Sequence, residues 1–105
     1  LEDITIPYSV ITIGSYAFRE CKKLTSIIIP NGVTTVKSDA FYRCGGLTSV
    51  RIGNGITTIA SDAFSQALNL TDIYIDKAEG SVSGAPWGAT NATIHWNTPL
   101  PSEEV

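Results

Sequence analysis

Apolar residues fall along this chain at offsets that recur every 23 positions. In Leu24-Thr25-Ser26-Ile27-Ile28-Ile29-Pro30 the apolar set Leu24, Ile27 and Ile29 alternates with Ser26 and Ile28, the period-two pattern of a strand with one buried face. The phrase returns as Leu47-Thr48-Ser49-Val50-Arg51-Ile52-Gly53 and Leu70-Thr71-Asp72-Ile73-Tyr74-Ile75-Asp76, and upstream as Leu1-Glu2-Asp3-Ile4-Thr5-Ile6-Pro7. Pro30-Asn31-Gly32 and Gly53-Asn54-Gly55 then stop the ladder and turn a corner, because Pro lacks a donor and Asn and Gly tolerate positive φ. The β-branched run Val33-Thr34-Thr35-Val36, with counterparts Val10 to Ile13 and Ile56 to Ile59, predicts a second narrow sheet. A third phrase, Ser15-Tyr16-Ala17-Phe18, Ser38-Asp39-Ala40-Phe41 and Ser61-Asp62-Ala63-Phe64, sets a capping residue ahead of Ala and Phe and predicts a single helical turn. Phe18, Phe41 and Phe64 then stack coil on coil, with Cys21 and Cys44 on the same inward side three residues later.

One such unit cannot bury its apolar face alone, so stability has to be shared between neighbours. The expected fold is a repeat solenoid of leucine-rich-repeat type, mainly β, with short parallel strands and short helical turns. It has about four coils, in repeats starting at residues 1, 24, 47 and 70. Register loosens after Ile75. Val82 still answers Ile59, Pro86-Trp87 stands where Ala63-Phe64 stood, and Ile94-His95-Trp96 answers Ile73-Tyr74-Ile75 at a step of only 21. Residues 92–96 are read as a shortened C-terminal capping coil, and Gly84-Ala85-Pro86-Trp87-Gly88 together with Trp96 as a plug over the end of the stack, closing a solenoid over residues 1–96. Residues 97–105, with two prolines and two acids, read as a linker or tail. At the other end Leu1 opens a full repeat with nothing ahead of it. Upstream sequence is expected to be missing; in the chain as given, that uncapped edge is a candidate self-association site, since bare strands recruit other strands.

The pattern Leu-x-x-Ile-x-Ile-Pro-x-x-Val-x-x-Ile-x-x-x-Ala-Phe-x-x-Cys resembles the BspA-like class of leucine-rich repeats, over roughly Leu1 to Trp96. The resemblance implies a bacterial surface or secreted protein, with relatives on parasitic protists. It also implies adhesion and protein or glycan binding, with a host or matrix protein or glycan as the expected partner, and it does not imply catalysis.

Composition narrows the function further. With 105 residues, 43% of them hydrophobic, the chain builds one core. Its net charge of −3 and pI near 4.9 work against nucleic acid or an anionic membrane as partner. No stretch reaches the roughly 20 apolar residues of a membrane span, so membrane insertion is not expected. Lacking both an initial Met and a signal segment, the sequence reads as an excised or processed piece.

No cofactor and no metal are expected, because Cys21, Cys44 and the lone His95 do not assemble a zinc ligand set. Two buried thiols are the expected state of the cysteines, although stacked coils bring equivalent positions near disulfide distance. Catalysis lacks its parts: His95 falls on the outward side of the last strand and Cys44 on the inward side two coils earlier, so no nucleophile meets a base. Gly45-Gly46 and Gly53-Asn54-Gly55 are turns rather than phosphate loops, and Asp39 and Asp62 are solvated turn residues. Asn69-Leu70-Thr71 and Asn91-Ala92-Thr93 satisfy the glycosylation sequon and carry no function in a bacterial protein.

The outward face of the first sheet is where the repeat stops copying itself. Register assigns to it Asp3 and Thr5, Ser26 and Ile28, Ser49 and Arg51, Asp72 and Tyr74, and Thr93 and His95. One column reads Thr5, Ile28, Arg51, Tyr74, His95. Arg and Tyr are enriched at binding hot spots, so the candidate binding residues are Thr5, Ser26, Ile28, Ser49, Arg51, Asp72, Tyr74 and His95. Two readings follow: a non-catalytic interaction module, or a rigid spacer that positions a neighbouring domain.

Overall fold

The repeats build two parallel sheets, and where a unit contributes a strand to both, the chain passes from one to the other at an Asn-Gly corner. The computed structural model describes residues 6–101. The larger sheet is formed by β2 (Ser26–Ile29), β4 (Ser49–Ile52), β6 (Asp72–Ile75) and β7 (Thr93–His95), side by side in that order. The smaller joins β1 (Thr12–Ile13), β3 (Thr35–Val36) and β5 (Thr58–Ile59). Pairing is parallel and steps by 23 from Ser26 to Ser49 to Asp72, then by 21 from Asp72 to Thr93. This is the repeat solenoid the periodicity predicts. The segment expected to open the series, with Asp3 and Thr5, lies outside the described residues, as does the expected edge at Leu1.

The apolar positions that keep step form the core. Leu24, Leu47 and Leu70, then Ile27, Val50 and Ile73, then Ile29, Ile52 and Ile75 are all buried, and they share one core cluster with Val36 and Ile59 of the second sheet and with Val33 and Ile56 just ahead of its strands. Phe18, Phe41 and Phe64 stack with ring centres 5.1 and 5.0 Å apart and planes within 13° of parallel. An offset aromatic column of this kind adds to simple burial.

The third side of each coil differs from the expected helical turn. Among the described residues there is no helix; Ser15, Ser38 and Ser61 instead open ribbons of overlapping tight turns. In the middle coil the amides of Ala40, Tyr42 and Cys44 close turns onto Lys37, Asp39 and Phe41, while those of Phe41 and Arg43 reach across to Ala63 and Ser65 of the next coil. Alternate amides thus serve the coil and its neighbour, whereas a helix would spend every amide on its own chain. Asp39 and Arg43 adopt φ of 55° and 57°, and Tyr16, Glu20 and Gln66 repeat that geometry. The inward placing of Phe41 and Cys44 survives the change of element, since both are fully buried.

Side chains continue the ladders beyond the strands. Thr48 donates its hydroxyl to the Thr25 carbonyl and Thr71 to that of Thr48, and on the second sheet Thr57 and Thr34 do the same to Thr34 and Ile11. The two sequon asparagines belong to this set: Asn69 Nδ2 donates to Gly45 O at 2.7 Å and Asn91 Nδ2 to Leu68 O at 2.9 Å.

In the last coil Trp87 is fully buried, donates its indole N–H to Ser83 O, and meets Trp96 edge-on with centroids 6.2 Å apart. Its register differs by one from the sequence reading. Phe41 donates to Ala63 O, and Phe64 donates to Trp87 O, so Trp87 occupies the backbone position of Ala63 rather than that of Phe64. Backbone hydrogen bonds also continue past Trp96, although the strand pairing ends at His95: Asn97 and Thr98 donate to Lys77 O and Ile75 O.

Candidate binding face

Strand alternation turns Ile28, Arg51 and Tyr74 away from the core, and parallel register lines them up with His95. Ser26, Ser49, Asp72 and Thr93 form the column beside them. Ser26 and Thr93 are exposed, and the other members of the two columns are half-buried. The predicted face is therefore assembled except for Thr5, which lies outside the described residues.

Neighbours in the main column interact face to face. The Arg51 guanidinium carbon sits 4.3 Å from the centre of the Tyr74 ring, a cation–π contact. On the opposite side, where β7 flanks β6, the His95 imidazole stacks on the same ring at 4.5 Å with planes 14° apart. Tyr74 is thus sandwiched, and both faces of its ring are occupied.

A second contact ties the two columns together. His95 Nε2 and Asp72 Oδ1 are 2.9 Å apart, and the other Asp72 oxygen accepts from Thr71 Oγ1 at 2.9 Å. Those hydrogen bonds, His95 first and Thr71 second, hold the Asp72 carboxyl below its ordinary value of 3.8, since each favours the charged form. The pairing was not read from the sequence. It runs diagonally, from position 72 to the register partner of position 74, and such contacts emerge only when strand order and rotamers are known together.

Arg51 is differently placed. Among the described residues the ion pair is Arg19–Glu20, His95 meets Asp72 through a hydrogen bond, and the Arg51 guanidinium takes part in no side-chain hydrogen bond. Its donors thus find no side-chain acceptor among the described residues, while its carbon is held over Tyr74.

The other chemistry-bearing residues do not converge on this face. Cys21 and Cys44 are both free thiols, Cys44 buried and Cys21 only half-buried, which corrects the expectation of two buried thiols. Cys21 belongs to an outer coil of the described residues, with its side less covered. Burial pushes the Cys44 thiol up to about 11, and its Sγ donates to Phe18 O at 2.9 Å. Among the described residues no group of three or more His, Cys, Asp or Glu is arranged to hold a metal ion, and no helix is long and apolar enough to cross a membrane.

Residues 1–85 match the family model described as BspA type leucine rich repeat region (6 copies). The chain belongs to the BspA-type leucine-rich repeat family. Neither a curated protein nor a solved structure matches it. The family is the one expected from the Leu, Ile, Val and Ala-Phe-x-x-Cys spacing, and a BspA-type repeat is in general a non-catalytic protein-interaction module. In this BspA-type chain the Arg51–Tyr74–His95 sandwich crosses three strands of the larger sheet.

Proposed function

We propose that the chain is the interaction module of a bacterial cell-surface or secreted protein, adhesion-related, that holds a host or matrix protein or glycan on the outward face of its larger sheet. The carrying observation is the Arg51–Tyr74–His95 sandwich, set on strands whose other face is the buried core. Hot spots favour Arg and Tyr, and groups already fixed before contact lose little entropy on binding. The surface location and the adhesive role rest on family habit. The test is surface plasmon resonance of the isolated domain against immobilised extracellular-matrix proteins and glycans. Binding that disappears in Arg51→Ala and Tyr74→Ala supports the module, and unchanged binding in both variants refutes this face.

A second reading is favoured by the Thr25–Thr48–Thr71 and Thr34–Thr57 ladders, which lock each coil to the next and suit a stiff spacer. On that reading the same assay returns no binding by the isolated domain.

A further inference from the structure

The geometry points to a carboxylate-bearing protein segment as the ligand of the Arg51 column, with the Arg51 guanidinium accepting the ligand's acid. This rests on the proposed binding face and adds the chemistry of its occupant.

Three observations carry it. Arg51 has five N–H donors in a planar fork, no acceptor for them among the described residues, and a position held by the Tyr74 ring. A carboxylate matches that fork with two parallel hydrogen bonds, stronger than neutral ones. Second, Asp72 does not fill this role internally, since its two oxygens are engaged by His95 and Thr71. Its negative charge also sets the direction of approach. An incoming acid avoids the Asp72 side and arrives over Ile28, whose half-buried side chain pairs with Arg51 in register and offers apolar contact to the stem of a Glu or Asp. Ser49, two residues from Arg51 on the same face, and Ser26 beside Ile28 supply hydroxyls for the adjoining backbone.

Third, the sandwich disfavours the other occupants. A sugar ring that docks by stacking needs a bare aromatic face, and Arg51 and His95 cover both faces of Tyr74. A sulfated polyanion needs several free cations, while this face offers one beside Asp72 on a chain of net charge −3. A single acid presented by an extended protein segment fits what remains.

The test pans a displayed library of random linear peptides against the folded domain, then measures synthetic copies of the enriched peptides by fluorescence anisotropy. Enriched peptides are expected to share an Asp or Glu. Replacing that acid by Asn or Gln, or making Arg51→Gln, should each weaken binding about tenfold to a hundredfold, with little further loss when combined. Arg51→Lys, which keeps the charge and loses the fork, should recover only part of the affinity. The peptide-side substitution leaves the domain untouched, so the result does not depend on the variant's folding. Peptides that lose binding in Tyr74→Ala yet carry no acid, or bind Arg51→Gln as tightly as the parent, overturn the carboxylate and leave the face standing. Peptides indifferent to both changes, or no enriched peptides at all, overturn both.

Discussion

Tyr74 lies between Arg51 and His95, its ring centre 4.3 Å from the Arg51 guanidinium carbon and 4.5 Å from the His95 ring. The three residues come from three successive coils and touch only because every strand of the larger sheet is parallel and in register. A repeat that copied its outward residues could not make this contact, since Arg on Arg would stack like charges and no ring would lie beneath the guanidinium. The departure from repetition produces the chemistry.

The Asp72 pairing makes the face pH-sensitive. A carboxyl held below its ordinary 3.8 contributes stability that is fully present above that value and lost as pH falls through the folded value. A carbon-detected NMR titration should place the Asp72 midpoint below that of a free aspartate. In His95→Ala it should move up toward the ordinary value, with Thr71 alone still lowering it.

The stacked rings predict where the core is most sensitive. Phe41 is fully buried between Phe18 and Phe64, and Phe41→Ala should destabilise by about 3–5 kcal/mol in urea unfolding. Phe41→Leu, which keeps most of the volume, should cost clearly less.

Gly45 and Gly46 are neighbours with opposite tolerance. A Cβ on Gly46 would run into the Lys22 carbonyl of the coil below, while one on Gly45 would meet nothing within 4 Å. Gly46→Ala should lower stability by about 1–3 kcal/mol, and Gly45→Ala should stay within about 0.5 kcal/mol of the parent. Equal melting temperatures for the two variants would contradict the close approach of the coils.

The cysteines should react in order. Cys21 is half-buried, whereas Cys44 is buried with its thiol pushed up to about 11, so little thiolate forms near neutral pH. Alkylation followed by mass spectrometry should mark Cys21 well before Cys44 in the folded protein, with the difference vanishing in denaturant.

Leu24, Leu47 and Leu70 made the solenoid legible, because a buried column tolerates one residue type at one step and so writes its period into the sequence. The outward column was legible for the same reason in reverse: Ile28, Arg51 and Tyr74 differ where their flanking residues agree. Turn chemistry was harder to read. Ser38-Asp39-Ala40-Phe41 satisfies a helix cap, and only the next coil, by drawing the Phe41 and Arg43 amides across, selects the turn ribbon instead. Trp87 sits one position from the place its spacing predicts because Ala85-Pro86-Trp87 carries no repeat phrase to anchor it, and its backbone partner Phe64 lies in another coil. The Asp72–His95 contact depends on side-chain rotamers across strands, which periodicity does not encode.

The most direct test of the account is amide chemical-shift mapping of the labelled domain with a peptide recovered from the library. Shifts concentrated in residues 26–28, 49–51, 72–74 and 93–95, with Arg51 side-chain resonances moving, are the predicted result. Shifts confined to the turn ribbons around Phe18, Phe41 and Phe64 or to β1, β3 and β5 would contradict it.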